Sequence, residues 1–349
     1  MLYLCYSIND FYAREAGISM ISFFENNPDY EPEEVFFLDY GIHPANKGKL
    51  DGIAARYGRR ITYLNAKAVT DVVKREYPNL KGWHGSMAPN AKPFVEQIIP
   101  DYVERLLFID ADTVVAGSVA ELKTIDMSGK ALGVVPVNLG GELIRKGKLK
   151  LVNGSRIYFN SGVLLFNLPV WRSESCHQMI VDMLHKKINL DWPDQNLLNN
   201  AIPERLIKTL PLKYNHITHY YHPRQELGWL RIGHYYSEEE IEEAISRPAI
   251  IHYLGGWVLA RPWYRHCRSS KSGCYLRYKA LSPWSESPLF KPYEEMHSPR
   301  GFKQKAEYWR LKMQGECPSF RLVRMIDTAY HFIMPKMDKL LKKNKCINN

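Results

Sequence analysis

At 349 residues, 45% of them hydrophobic and 24% charged, the chain has the make-up of a globular protein with one large domain or two smaller ones. No run approaches the roughly 18 consecutive apolar residues of a membrane-spanning helix. The six cysteines show neither C-x-x-C spacing nor a dense framework, which argues against a zinc site or a disulfide scaffold and for free thiols. The net charge of +10 is regional: from His297 onward 12 Lys or Arg face four Asp or Glu, a surplus of eight, so the remainder is close to neutral.

The opening, MLYLCYSINDFYARE, lacks a basic n-region and a small-residue cleavage site, and reads as a first strand rather than a signal peptide. LYLCYS and EVFFLDY are short and rich in β-branched and aromatic residues, with helical patterns beginning near Phe11 and near Asn46. RITYLN, RLLFID, ALGVVPV and GVLLFNL continue the series. Strands alternating with helical stretches predict an α/β fold with a mostly parallel sheet. In such sheets ligands bind beyond the carboxyl ends of the strands.

RLLFIDADTVV ends one of these strands in two carboxylates, Asp110 and Asp112. For both to serve one ligand the chain is expected to turn at Ala111, as a strand end permits. The pair then suits a hard divalent cation, Mg²⁺ or Mn²⁺, whose oxygen shell is commonly completed by substrate phosphates. Taken alone, Asp-x-Asp is more often a polar strand end. Farther on, SEEEIEEAI opens a helix with Ser237 as N-cap and Glu240 three residues later, a capping box, and leads into the strand AIIHY. After Trp263 the texture changes to loops rich in Ser, Pro and aromatics and then to basic helical stretches, and a domain boundary is expected between about Pro283 and Pro299.

LLFIDADTVVAGSVAEL, with Thr113, Val114, Val115, Gly117, Ser118 and Glu121-Leu122 after the aspartates, resembles the metal-binding segment of glycosyltransferase family 8, the retaining sugar-nucleotide transferases. YFNSGVLLFNL, WPDQNLLN, LPLKYN, AIIHYLGGWVLARPW and YKALSPW resemble further family segments in the family's order. The resemblance covers about residues 1–285 and implies a GT-A fold there: a Rossmann-like mixed, mostly parallel sheet flanked by helices. Residues 286–349 are left as a basic α-helical C-terminal extension. The implied activity is transfer of a hexose, glucose or galactose, from a UDP-sugar to a surface-glycan, lipid-linked or polysaccharide acceptor.

The resemblance carries metal-ligand roles to Asp110, Asp112 and His252, a mixed O/N set that suits Mn²⁺ somewhat better than Mg²⁺. It carries catalytic roles to Asn160, Asp194 and Gln195. Donor-binding roles fall on these residues and on Ser7, Asn9, Tyr12, Asp39, Lys92, Ala111, Ser161, Gly255, Gly256 and Arg261. The two glycines allow backbone N–H groups to approach phosphate oxygens. Because an amide is a poor nucleophile, Gln195 argues for front-face attack rather than a covalent intermediate, with Gln195 and Asp194 positioning the donor and stabilising developing positive charge.

Four departures stand out. Asn9 replaces the family's Asp at the uracil or ribose, with Asp10 beside it and Tyr12 matching the stacking Tyr. Asn90-Ala91-Lys92-Pro93 replaces Tyr-x-Arg-Leu, so Lys92 keeps the charge without the bidentate fork. Arg261 replaces a phosphate-binding Lys, and the stretch from His252 to Pro262 is three residues longer than usual. These changes leave open a catalytically weak GT-A domain acting as a nucleotide-sugar- or glycan-binding module. In the tail, Lys and Arg alternate with Trp309, Leu311, Phe320, Met325, Tyr330 and Phe332. That pattern is either a solvated helical face or a patch for an anionic membrane surface. No nucleic-acid motif is present. The expected location is cytoplasmic, peripheral on the inner face of the cell membrane.

Overall fold

The computed structural model describes residues 1–83, 85–137, 151–186, 188, 190–218, 235–254, 261–265, 267, 269–290 and 301–316, together with 322, 325, 326, 329, 330 and 333. The chain opens with β1 (Leu2–Ile8), a 3₁₀ turn (Asp10–Tyr12) and α1 (Ala13–Asn26), then β2 (Glu34–Asp39), α2 (Pro44–Arg56), β3 (Arg60–Leu64) and α3 (Ala66–Glu76). A 3₁₀ segment (Ala88–Gln97) leads to β4 (Arg105–Ile109), β5 (Thr113–Val115), α4 (Glu121–Thr124), β6 (Leu132–Pro136) and β7 (Phe159–Asn167). Next come α5 (Leu168–Ser173), α6 (Cys176–Leu184), α7 (Pro193–Ala201), β8 (Ile207–Thr209), a 3₁₀ turn (Leu212–Asn215) and β9 (His216–Ile217). The described elements end with α8 (Glu238–Ser246), β10 (Ile250–His252), α9 (Ser272–Ala280) and α10 (Gly301–Glu316).

Among the described residues the main sheet has seven strands in the order β3-β2-β1-β4-β7-β6-β8. β3, β2, β1 and β4 run parallel, and β7 runs antiparallel to both β4 and β6. The expected mixed, mostly parallel sheet is therefore present. A second, three-stranded sheet, β5-β10-β9, stands at the end of β4. The alternation of β4 shows how the sheet is sandwiched: Leu107 and Ile109 enter one apolar cluster and Leu106 and Phe108 the other. All four are buried, so RLLFI reads as a continuous apolar run because both faces are covered.

The local signals act as their chemistry dictates. Pro44 occupies the first turn of α2, Asn65 Oδ1 caps α3 by accepting from Ala68 N, and both bonds of the Ser237–Glu240 capping box form at α8. Beyond residue 285 the chain is still packed on the domain at Phe290. Its ring lies 4.1 Å from the Arg14 guanidinium, its N–H donates to Trp263 O and its carbonyl accepts from Arg265 N. Among the described residues no helix is long and apolar enough to cross a membrane.

Candidate active site

β4 ends at Ile109 and β5 begins at Thr113, so Asp110-Ala111-Asp112 is the turn that carries the chain from one sheet to the other. Backbone bonds pin both ends: Asp110 N donates to Gly162 O at 2.8 Å and Tyr253 N to Asp112 O at 2.8 Å. The start of β7 and the end of β10 are thereby drawn to the same spot. Inside the turn a buried hydroxyl chain fixes its shape. Thr113 Oγ1 donates to Asp110 O (2.7 Å), Ser19 Oγ to Thr113 (2.9 Å), and Tyr6 OH to Ser19 (3.0 Å). Each hydroxyl has one proton, so the first bond sets the direction of the rest.

The expected ligands converge. Asp110, Asp112 and His252 each offer an atom within 4.8 Å of the others, and they form the group of this kind among the described residues. His252 is buried in register with Thr113 on β5 and turns Nε2 toward Asp112 Oδ1 (3.2 Å) and Asp110 Oδ2 (4.0 Å). The ring fits because residue 162 is glycine. A Cβ there would lie 2.0 Å from His252 Cε1 and 2.6 Å from Nδ1.

Lys92 is 2% exposed and sits between two carboxylates, 2.8 Å from Asp110 Oδ1 and 3.0 Å from Asp194 Oδ2. Burial opposes its charge, but Asp110 and Asp194 outweigh burial and hold the ammonium above its usual pKa. Burial also pushes Asp110 up, against Lys92, with the negative charge of Asp112 adding to the rise. At Asp112 burial is overcome by His252, with Arg261 and Lys92 helping, and the carboxyl lies below its usual range. Three carboxylates thus face two cationic side chains, Lys92 and Arg261. This charge balance and the O/O/N donor set fit a divalent cation.

Asp194 and Gln195 lie in the first turn of α7, which Pro193 begins. Asn199, one turn on, holds that helix to β7 by pairing with both backbone groups of Phe159, each at 2.9 Å. Asn160 Nδ2 therefore reaches Gln195 Oε1 at 3.0 Å, Ser161 Oγ donates to Asp194 Oδ2 at 2.7 Å, and Gln195 Nε2 donates to Tyr158 OH at 2.9 Å.

The other expected donor residues lie along the same strand-end edge, with mixed engagement. Ser7 Oγ donates to Ala88 O, tying β1 to the segment that carries Lys92. Asn9 Oδ1 is buried and has no partner among the described residues. Half-buried Tyr12 packs edge-on against Phe11. Asp39 is occupied locally: its Oδ1 accepts from Gly41 N and Ile42 N, and its Oδ2 meets Lys47 Nζ at 2.5 Å. Gly255 and Gly256 lie outside the described residues. Sequence reasoning gave no role to Tyr158, to Asn215, or to the Thr113 hydroxyl. Their one signal is that each lies in a segment resembling the family: Thr113 in LLFIDADTVV, Tyr158 in YFNSGVLLFNL and Asn215 in LPLKYN.

The sequence profile described as glycosyl transferase family 8 matches residues 3–267. General stress protein A of Bacillus subtilis is 22% identical over 281 residues, 79% of this chain and 92% of that protein. The lipopolysaccharide 1,3-galactosyltransferase of Salmonella typhimurium is 22% identical over 295 residues, 83% of this chain and 81% of that protein. Among solved structures, the galactosyltransferase LgtC in complex with donor and acceptor sugar analogues superposes with a TM-score of 0.64 at 21% identity. It covers 81% of this chain and 96% of that one, a likeness of fold.

Proposed function

The chain belongs to glycosyl transferase family 8 and has the GT-A fold of a glycosyltransferase; on that premise we propose that it moves a hexose, glucose or galactose, from a UDP-sugar with retention of configuration at a metal site formed by Asp110, Asp112 and His252. One observation carries this reading: the three ligand atoms converge beside the Asn160–Gln195 pair on one edge of the sheet. A bound divalent cation, Mn²⁺ in preference to Mg²⁺, supplies Lewis-acid neutralisation of the departing diphosphate. Lys92 holds Asp110 in place against Asp194, and Arg261 adds positive charge beside Asp112. Asn9, where the family has an Asp at the uracil or ribose, carries the acceptor for the N3–H of uracil in this reading.

Gln195, an amide held at both ends, is not set up as a nucleophile, and one oxygen of Asp194 is held by Lys92 and Ser161. That supports front-face attack, with Asn160, Asp194 and Gln195 as the catalytic set around the sugar.

For the acceptor we propose a surface glycan or lipid-linked glycan, in keeping with the relative named for lipopolysaccharide. Residues 1–285 form the catalytic domain in this reading, and 286–349 an extension that meets an anionic membrane surface on the cytoplasmic face. Exposed apolar side chains support it: Phe302, Trp309 and Met313 stand out from α10 near Lys305 and Lys312.

The test is a donor screen. UDP release from a panel of UDP-hexoses with Mn²⁺ is measured while the intact protein is followed by mass spectrometry. Turnover of at least one donor without change of protein mass is expected. A glycosyl adduct on Asp194 overturns the front-face route, and no turnover with any donor favours a binding module.

A further inference from the structure

The 3₁₀ turn Leu212–Asn215 delivers the chain into β9, which lies parallel beside β10, and so places Asn215 behind His252. Asn215 is buried, and its two amide atoms divide between two neighbours. Oδ1 meets His252 Nδ1 at 3.1 Å, and Nδ2 donates to Asn160 Oδ1 at 3.1 Å.

The backbone fixes which end is which. The Asn160 atom facing Asn215 also receives the Gly162 N–H at 2.9 Å, and a backbone N–H only donates, so that atom is the oxygen. Asn215 must then present its nitrogen to Asn160 and its oxygen to His252, and the imidazole must carry a proton on Nδ1. Nε2 is left as the ligating atom, on the side of Asp112 and Asp110. Beyond Asn160 the same directed chain continues. Asn160 Nδ2 donates to Gln195 Oε1, which also takes the Ser161 N–H at 3.4 Å, and Gln195 Nε2 donates to Tyr158 OH.

We propose that Asn215 is a positioning residue that locks the His252 ring with Nε2 toward Asp110 and Asp112 and couples this metal ligand to the amide of Gln195. The proposal rests on the metal-site reading given above. Without an acceptor for Nδ1–H the ring is free to take the other tautomer, in which Nε2 carries the proton and cannot ligate. Partners of this kind hold ligand tautomers in metal sites generally, and their loss costs about 10- to 100-fold in metal affinity.

The test uses Mn²⁺ alone, titrated into the full-length protein without donor and followed by the electron paramagnetic resonance of free Mn²⁺. Asn215→Leu removes both polar atoms at similar size, Asn215→Asp keeps an acceptor for Nδ1–H, and Asp112→Asn removes a direct ligand. Asn215→Leu is expected to weaken Mn²⁺ binding by about tenfold or more, and Asn215→Asp to restore near wild-type affinity. Asn215→Asp is nonetheless expected to turn over slowly, because its second carboxylate oxygen faces Asn160 Oδ1, acceptor against acceptor. Wild-type affinity in Asn215→Leu, when Asp112→Asn has lost binding, overturns the role of Asn215 and leaves the metal site standing. If Asn215→Leu does not fold, Asn215→Asp decides, and an affinity as weak as that of Asp112→Asn overturns the proposal. Unchanged Mn²⁺ binding in Asp112→Asn removes the metal reading and the proposal with it.

Discussion

Gly162 owes its place to the His252 ring, which fills the space a side chain would take. Gly162→Ala forces the ring or the β7 backbone to move. Overpacking of this kind costs about 1–3 kcal/mol, and a misplacement of about 1 Å at a reacting centre costs about a hundredfold in rate. Thermal unfolding and UDP release should therefore both fall in this variant; wild-type values for both would show that the ring is not confined. At this scale the sequence was legible as placement: Asp110, Asp112 and His252, singled out by the resemblance, come within 4.8 Å of one another, and Asn160 and Gln195 pair at 3.0 Å. It was illegible for residues that act through geometry. Asn215 lies in LPLKYN, a string that resembles the family, but nothing in the letters sets its amide behind His252. Asp39 and Lys92 show the converse, since their partners Lys47 and Asp194 come from elements whose relative placement only the fold supplies.

Among the elements, β9 is two residues long and carries a buried histidine, His216, whose ring nitrogens have no partner among the described residues. Burial, with Lys271 adding to it, pushes its pKa down from 6.5 to about 3. Between those values the unfolded chain binds a proton that the folded chain refuses. Stability is therefore intact above pH 6.5 and falls as pH drops through 6.5 toward 3. The slope from this one group is about 1.4 kcal/mol per pH unit. His216→Leu should flatten the acid limb of a denaturant-measured stability profile by about that amount relative to wild type; parallel profiles would show that His216 is solvated. The small sheet was also the least legible part of the fold. AIIHY reads as a strand, but its partner β5 has only three residues, and the outer edge of β5 bonds to a helix. Val115 N donates to Ser22 Oγ and Asn26 Nδ2 to Val115 O. Ser19, Ser22 and Asn26 fall at i, i+3 and i+7 on α1, a polar stripe that reads as solvent-facing until β5 is seen against it.

For the whole molecule, the alternation of strands and helices sufficed for the sheet and its functional edge, because long apolar runs leave few ways to cover both faces. The tail was legible as charge and not as contact. Leu311 of α10 is buried, the Arg310 guanidinium lies 4.8 Å from the Tyr330 ring, and Trp309 is 58% exposed. Flotation of the full chain and of a form lacking residues 297–349 tests the membrane reading. The full chain should rise with vesicles of anionic lipid and not with neutral ones, and the shortened form with neither; equal partitioning of both forms removes that reading. The metal-assisted transfer is tested most directly by UDP release from the best UDP-hexose, comparing wild type with folded Asp112→Ala, each with Mn²⁺ and with a chelator. A rate that falls by about a thousandfold or more in the variant, and equally in wild type under chelation, is the expected result. Wild-type release by Asp112→Ala, unaffected by the chelator, would contradict it.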